Sequence, residues 1–172
     1  MTLICNIISG PSSGKTTTSN HIFAIAKEQH MKCEVIYGTE KEIIYDENLK
    51  QLKCQPLILG LQLWKIERLF GKVDFIINDL PLPLNIIYNC RYPESFNRAV
   101  MDIFNSHNNL NIFLERPDTF DNFGRVHDLK ESIEIDKKIL KLMVMESIPF
   151  VKVKCGAAKQ ILELIKRKLY NV

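Results

Sequence analysis

The chain has 172 residues, of which 46% are hydrophobic and 25% charged, and its formal net charge is +3. This length suits one globular domain spanning residues 1–172, and the composition excludes a disordered chain. No apolar stretch is long enough to cross a bilayer, so we expect no membrane span. The five cysteines are scattered and form no C-x-x-C pair, which favours a reduced, cytoplasmic protein over a disulfide or zinc framework.

Short apolar runs alternate with longer segments of helical spacing along the whole chain. The predicted strands are 3–8, 34–37, 73–78, 111–114 and 150–153, and the predicted helices are 15–30, 56–70, 95–107, 129–146 and 157–170. This alternation predicts an α/β fold in three layers, a five-stranded parallel sheet with helices on both faces. Trp64 and Phe70 fall on a predicted helical face, so we expect them in the core.

A phosphate-binding motif lies between the first strand and the first helix. Residues 9–16 read Ser-Gly-Pro-Ser-Ser-Gly-Lys-Thr and match G-x-x-x-x-G-K-[ST], with Ser9 in the place of the first glycine. Lys15 is expected to reach the β- and γ-oxygens of ATP, and the Thr16 hydroxyl to bind Mg²⁺. A loop that only turns the chain is the alternative, but strand, motif and helix agree. The expected nucleotide-binding set is Gly10, Ser12, Ser13, Gly14, Lys15, Thr16 and Thr17.

A carboxylate follows the third predicted strand. Asp79 stands directly after the apolar run and before Pro81 and Pro83. In open parallel sheets ligands bind beyond the carboxyl ends of the strands, so Asp79 is a candidate magnesium ligand or general base. The alternative is an Asp that caps a following helix. Asp74, within the same predicted strand, is expected to be structural.

Two further residues are candidates for the acceptor. Glu40 follows the second predicted strand and is expected to bind the substrate or serve as a base, or else to be an exposed acidic start of a helix. Arg91 could hold an acceptor phosphate, and an ordinary surface arginine is the alternative.

The polar segment 116–127 carries two arginines at its ends. Arg116 and Arg125 flank turn-forming residues and Gly124, so this segment is predicted to close over the phosphates as a lid. A guanidinium there would stabilise the transferring phosphoryl group.

Lysines near the end of the chain either contact nucleic acid or form a solvated helix face.

The chain resembles the thymidylate kinase-like branch of P-loop nucleoside and nucleotide kinases over nearly its whole length. The closest resemblance is to small phage-encoded kinases, through Ile-Ile-Ser-Gly-Pro-Ser-Ser-Gly-Lys-Thr, Ile-Ile-Asn-Asp-Leu-Pro, Phe-Leu-Glu-Arg-Pro and Gly-Arg-Val-His. That group includes enzymes that phosphorylate 5-hydroxymethyluracil in DNA and others that phosphorylate free deoxynucleoside monophosphates. The resemblance implies a P-loop kinase fold, ATP at residues 12–17, Mg²⁺ near Thr16 and Asp79, a lid around Arg125, and a base contact at Gly156-Ala157.

The resemblance leaves the acceptor open. Asp79-Leu80 stands where many thymidylate kinases have Asp-Arg, which favours a hydroxyl acceptor over a monophosphate. We expect a nucleoside-type acceptor, with 5-hydroxymethyluracil in phage DNA ahead of a free deoxynucleoside monophosphate, and an enzyme of the host cytoplasm if it is phage-encoded. An ATP-hydrolysing switch is the further alternative. A single Asp followed by two prolines, together with a lid that carries arginine, favours the kinase.

Overall fold

A five-stranded, wholly parallel sheet forms the centre of the protein. The computed structural model describes residues 2–47, 49–117 and 128–171, and the backbone alone for helix residues 40–42 and 49. The sheet order is β2-β3-β1-β4-β5, which confirms the predicted parallel sheet. The strands are Leu3–Ile8 (β1), Cys33–Ile36 (β2), Phe75–Asn78 (β3), Asn109–Glu115 (β4) and Val151–Lys154 (β5).

Helices cover both faces of the sheet. All five predicted helices are present with slightly shifted ends. Three short helices, α2, α3 and α5, were not predicted because four to six residues are too few to show a helical period. The helices are Lys15–Glu28 (α1), Glu40–Tyr45 (α2), Leu49–Leu52 (α3), Gln55–Glu67 (α4), Leu84–Ile87 (α5), Glu94–Asn105 (α6), Leu129–Met145 (α7) and Ala158–Tyr170 (α8).

Each face of the sheet has its own apolar core. Leu3, Cys5 and Ile7 of β1 pack with buried residues of α1 and α8, whereas Ile4 and Ile8 pack with α4 to α7. All six residues of β1 are buried. A strand covered on both sides needs apolar residues on both sides, which explains the unbroken apolar runs in the sequence. Within the described ranges, no helix is both long and apolar enough to span a membrane.

Two expectations about side chains were wrong. Trp64 is 61% exposed, because α4 packs on the sheet through its opposite side, and Phe70, which follows the end of α4, is 37% exposed. The Arg68 guanidinium stacks over the Trp64 ring at 4.9 Å. The third strand begins at Phe75 rather than at residue 73, and Asp74 is an exposed residue ahead of it.

A capping box begins α7, the helix that approaches the loop after β1. The Asp128 carboxylate accepts a hydrogen bond from the Glu131 backbone at 2.8 Å, and the Glu131 carboxylate accepts one from the Asp128 backbone at 3.0 Å. This pairing satisfies backbone N–H groups that have no partner within a helix. It therefore fixes where α7 starts and which side chains the helix turns inward.

Replacing Asp128 by Ala should lower the free energy of unfolding by about 1 kcal/mol, the usual effect of losing a side-chain N-cap. The measurement is urea denaturation followed by circular dichroism. Lys141→Ala is the control, because Lys141 is exposed on the same helix and away from its start. Equal stability of Asp128→Ala and the wild type would contradict the capping box.

Candidate active site

The loop between β1 and α1 follows the central strand of the sheet and is ordered by its own contacts. Gly14 has φ of +81°, a conformation that L side chains rarely adopt, and a Cβ atom there would clash with Cys155 Sγ. The Ser13 hydroxyl donates to the Gly10 carbonyl at 2.9 Å. Ser12 also has a positive φ, of 57°. Ser9 does not, so the serine at the first motif position adopts a backbone that needs no glycine.

Lys15 Nζ makes two hydrogen bonds to this loop. It donates hydrogen bonds to the carbonyl oxygens of Ser9 at 2.9 Å and Gly10 at 2.7 Å. Lys15 is also the first residue of α1, so its positive charge adds to the positive end of the helix dipole. The next two residues, Thr16 and Thr17, lie in the first turn of α1, and Thr17 is exposed.

The loop meets the end of β3 through a short hydrogen bond. Thr16 Oγ1 donates to Asp79 Oδ2 at 2.6 Å. Asp79 is buried, and its backbone N–H donates to the Ile36 carbonyl at 3.0 Å. The alternative in which Asp79 caps a helix is wrong, because α5 begins after Pro83 without a side-chain cap.

The donor set around Thr16 and Asp79 fits magnesium. A hydroxyl and a carboxylate are hard oxygen ligands, and Mg²⁺ in kinase sites is usually held by one or two carboxylates together with substrate phosphates. Among residues 2–47, 49–117 and 128–171, no three His, Cys, Asp or Glu side chains group into a metal site. The pair therefore suits a metal that arrives with phosphates rather than one bound by protein alone.

Arg116 and Asp136 form a clamp on the other side of the loop. Arg116 follows β4, and its Nε and Nη2 atoms donate to Asp136 Oδ2 at 3.0 and 2.8 Å. Arg116 Nη1 donates to the Pro11 carbonyl at 2.7 Å. Asp136 Oδ1 accepts from the Gly10 backbone at 2.6 Å and from the Ser9 hydroxyl at 3.1 Å. The clamp joins β4 and α7 to the start of the loop.

The clamp is largely buried, with side-chain exposures of 12% for Arg116 and 16% for Asp136. It also explains the glycine at position 10, where a Cβ atom would lie 2.8 Å from both Asp136 Oδ1 and the Ser132 carbonyl. In this arrangement the Arg116 guanidinium holds the loop and α7. Its predicted contact with a transferring phosphoryl group stays a prediction.

Sequence reasoning missed Asp136. The sequence does contain a signal for a buried polar contact. Ser132 and Asp136 are four residues apart on the inward side of α7, which is otherwise apolar, with Ile135 and Ile139. A polar pair on the packed side of a helix needs partners, since burying unpaired polar groups is costly. The position of those partners, Arg116 and the loop, depends on the tertiary fold.

The remaining predicted residues are only partly described. Arg125 and lid residues 118–127 lie outside the described residues. Glu40 is the first residue of α2, just beyond the carboxyl end of β2, and its side chain is not described. Arg91 is exposed between α5 and α6, and no described hydrogen bond or ion pair joins its side chain to Thr16 or Asp79.

The surroundings of Arg91 include a perturbed thiol. The Tyr92 hydroxyl donates to Cys54 Sγ at 3.4 Å. This bond, then one from the Leu57 backbone N–H and the charge of Arg91, lowers the pKa of the Cys54 thiol. The thiolate is the form that these neighbours stabilise.

A buried amide pair links α4 to α5. Asn85 Nδ2 donates to Gln62 Oε1 at 2.6 Å and to the Leu82 carbonyl at 2.9 Å. Both side chains are buried, and neither was predicted from the sequence to have a role. The pair fixes the short helix that follows Asp79 against the longer α4.

An open cavity of about 560 Å³ lies between α1 and the loop after β5. Its lining includes His21, Ala24 and Ile25 of α1 and the small residues Gly156 and Ala157. The Gly156 N–H donates to Thr18 Oγ1 at 3.3 Å, which ties this loop to the helix that begins with Lys15. One wall of the cavity is therefore formed by α1, the helix that begins with Lys15 of the phosphate-binding motif.

The sheet order, the helices on both faces and the glycine-rich loop define a P-loop kinase fold. The solved structures that are similar to the chain over nearly its full length include the following two. Deoxyadenosine kinase from M. mycoides, with the products dCMP and dCDP bound, matches with a TM-score of 0.54 and 16% identity, covering 98% of this chain and 100% of that one. Kti12 from Chaetomium thermophilum, in complex with ADP-AlF3, matches with a TM-score of 0.54 and 11% identity, covering 97% and 98%.

The sequence comparisons add no family. No protein-family model and no curated protein matches this chain. At 11 to 16% identity, the structural likeness establishes the fold.

Asp136→Asn should lower the free energy of unfolding by about 3 kcal/mol, because it leaves the Arg116 charge buried without its carboxylate. Guanidinium denaturation measures this difference, and a double-mutant cycle with Arg116→Met isolates the pair. Glu134→Gln is the control, since Glu134 pairs with Lys137 on the exposed side of the same helix. A loss no larger than that of Glu134→Gln would show that the clamp adds nothing to stability.

Proposed function

We propose that this protein is an ATP-dependent phosphotransferase that moves the γ-phosphate to a nucleoside-type acceptor. The observation that carries the proposal is the 2.6 Å hydrogen bond between Thr16 Oγ1 and Asp79 Oδ2 at the P-loop. It joins the hydroxyl of the phosphate-binding motif to a carboxylate directly after the neighbouring strand. A hydroxyl and a carboxylate at this position are the protein's two contributions to magnesium binding in P-loop enzymes.

The chain's own residues divide the work on ATP as follows. Backbone N–H groups of the loop and the Lys15 ammonium bind the β- and γ-phosphates. Thr16 and Asp79 would hold Mg²⁺, which when bound would neutralise charge on those phosphates. The clamp of Arg116 and Asp136 keeps the start of the loop in one place, so little ordering is needed when the nucleotide binds. Arg125 is proposed to stabilise the transferring group from the lid.

The nucleotide's base is proposed to occupy the cavity beside Gly156 and Ala157. Its volume of about 560 Å³ exceeds what a nucleobase needs, and small residues line one wall. The ligands named for the two structural neighbours, ADP-AlF3 in Kti12 and dCMP and dCDP in deoxyadenosine kinase, support a nucleotide in this fold.

Asp79→Asn should reduce turnover at least a hundredfold and raise the Mg²⁺ concentration needed for half-maximal rate, because it removes the carboxylate charge but keeps the shape. Initial rates over a magnesium titration measure both effects. Thr16→Ser is the matched variant, since it keeps the hydroxyl and should stay within about fivefold of wild type. Unchanged rate and metal dependence in Asp79→Asn would remove Asp79 from the site.

The acceptor is proposed to be a hydroxyl on a nucleoside unit, with 5-hydroxymethyluracil in DNA ahead of a free deoxynucleoside monophosphate. Leu80 supports this order, because it is buried in the apolar layer where the resembled thymidylate kinases carry an arginine. A buried leucine has no charge and no hydrogen-bond donor in its side chain, so it cannot bind an acceptor phosphate. Asp79 or Glu40 would take the proton from the attacking hydroxyl. The net charge of +3 suits a polyanion, whose binding would weaken with salt.

A transfer assay with γ-labelled ATP separates the acceptors. Free deoxynucleosides, thymidylate, and single- and double-stranded DNA with and without 5-hydroxymethyluracil are offered in parallel, with Lys15→Ala as the inactive control. We expect label on modified DNA, more readily on single strands because a base inside a duplex must first be extruded. Raising salt from 50 to 200 mM should lower this transfer by at least tenfold.

Other outcomes decide against this acceptor. Label on thymidylate alone would replace DNA by a monophosphate acceptor. Phosphate release at full rate without any acceptor would favour the ATP-hydrolysing switch. Near-normal turnover by Lys15→Ala would contradict the P-loop assignment itself.

A further inference from the structure

Three buried asparagines form a row across the middle of the sheet. Asn78 of β3, Asn6 of β1 and Asn111 of β4 are in register on adjacent strands, and we call them the asparagine row. All three are buried, at 1 to 3% exposure, on the face covered by α4 to α7. Apolar side chains occupy the neighbouring positions on this face, such as Ile4 and Ile8.

The row is a continuous chain of hydrogen bonds. Asn78 Nδ2 donates to Asn6 Oδ1 at 3.0 Å, and Asn6 Nδ2 donates to Asn111 Oδ1 at 2.9 Å. Asn6 Nδ2 also donates to Asn109 Oδ1 at 2.9 Å, so Asn6 has two acceptors on β4. Asn111 Nδ2 donates to the Pro149 carbonyl at 3.0 Å. Each amide oxygen of the row accepts a donor, as buried polar groups require.

The other end of the row reaches the proposed magnesium site. Asn78 Oδ1 accepts from the Leu80 backbone N–H at 3.2 Å, so one side chain spans the peptide units on either side of Asp79. The backbone of Asp79 is held on its opposite edge by the Ile36 carbonyl. With the turn fixed in this way, the Asp79 carboxylate points at Thr16.

We infer that Asn78, anchored by Asn6, is a positioning residue for the Asp79 carboxylate, and this inference rests on the proposed function of the Thr16–Asp79 pair. An apolar residue at position 78 would fill the same space in the core. Only a side chain with both an acceptor and a donor can bind the Leu80 N–H and the Asn6 amide together. Asn78 thus links the turn that carries Asp79 to the three paired strands, whose positions are fixed by the sheet.

The test compares Asn78→Ala with Asn111→Ala. Both remove one buried carboxamide from the row, and both should lower the thermal midpoint. Asn111→Ala leaves Asn6 bound to Asn109, so the Asp79 turn should keep its geometry. Asn78→Ala frees the Leu80 N–H and should let the turn move. Asp79→Asn marks the effect of losing the carboxylate charge altogether.

The main readout is calorimetric binding of the non-hydrolysable imido analogue of ATP with Mg²⁺ and with EDTA. We expect Asn78→Ala to reduce the magnesium-dependent gain in affinity by about tenfold, while affinity in EDTA stays within about twofold of wild type. Asn111→Ala should keep the wild-type gain. Amide hydrogen exchange at Leu80 should accelerate in Asn78→Ala alone. Asn78→Val, which has neither a side-chain donor nor an acceptor, should behave as Asn78→Ala does and serves if that variant does not fold.

The outcomes separate the two ideas. A wild-type magnesium gain that Asn78→Ala and Asn78→Val retain would overturn the role of Asn78 and leave the proposed function standing. An equal loss of the gain in Asn111→Ala would also overturn it, because the effect would then follow from stability. A wild-type protein that gains nothing from magnesium would overturn the proposed function and this inference together.

Discussion

The parallel pairing of β1 with β3 is the constraint on which the rest of the site depends. Thr16 and Asp79 are 63 residues apart in the chain, and they meet because the elements that precede them, β1 and β3, are adjacent and in register. A slip of one residue would turn the side chains of a strand to the opposite face. The asparagine row opposes such a slip, because Asn6 and Asn78 bond to each other only in this register.

The P-loop is held from two sides. Asp79 meets it from β3, and the clamp of Arg116 and Asp136 meets it from β4 and α7. The two contacts differ in kind, since Asp79 bonds to the helix that follows the loop and Asp136 to the residues that begin it. A loop fixed at both ends presents its backbone N–H groups in one arrangement before a phosphate arrives. Such preorganisation is the main route by which polar sites stabilise developing charge.

The parts of the molecule that were predicted from the sequence are those encoded locally. The motif at 9–16, the five strands and Asp79 at a strand end depend on short patterns and on period, and the structure contains the loop, the strands and the position of Asp79. The exposed side of α4 was assigned wrongly at Trp64, because this helix carries apolar residues on both sides, with Leu57 and Trp64 exposed and Ile58 and Ile66 buried. The helical spacing of apolar residues alone then does not show which side of the helix faces the sheet.

Long-range partners were beyond prediction for a different reason. The hydrogen-bond partners of Asp136 and of the asparagine row depend on which strands are neighbours. No local sequence pattern encodes the strand order β2-β3-β1-β4-β5. Asparagine is disfavoured in strands, so Asn6, Asn78 and Asn111 each interrupt an apolar run. Nothing in the sequence around one of them indicates that it pairs with the others. Their shared register becomes visible only when the strands are placed side by side.

The serine at the first motif position links the loop's one departure from its pattern to the tertiary structure. Ser9 has no positive φ, so its backbone does not require glycine, and its side chain is buried. The hydroxyl then needs a partner in the folded protein, and Asp136 Oδ1 accepts its hydrogen bond at 3.1 Å. Asp136 is itself held by Arg116 through two hydrogen bonds. The serine is therefore accommodated by the clamp, and the departure from the motif adds a contact to α7 where a glycine would have left the carboxylate with one donor fewer.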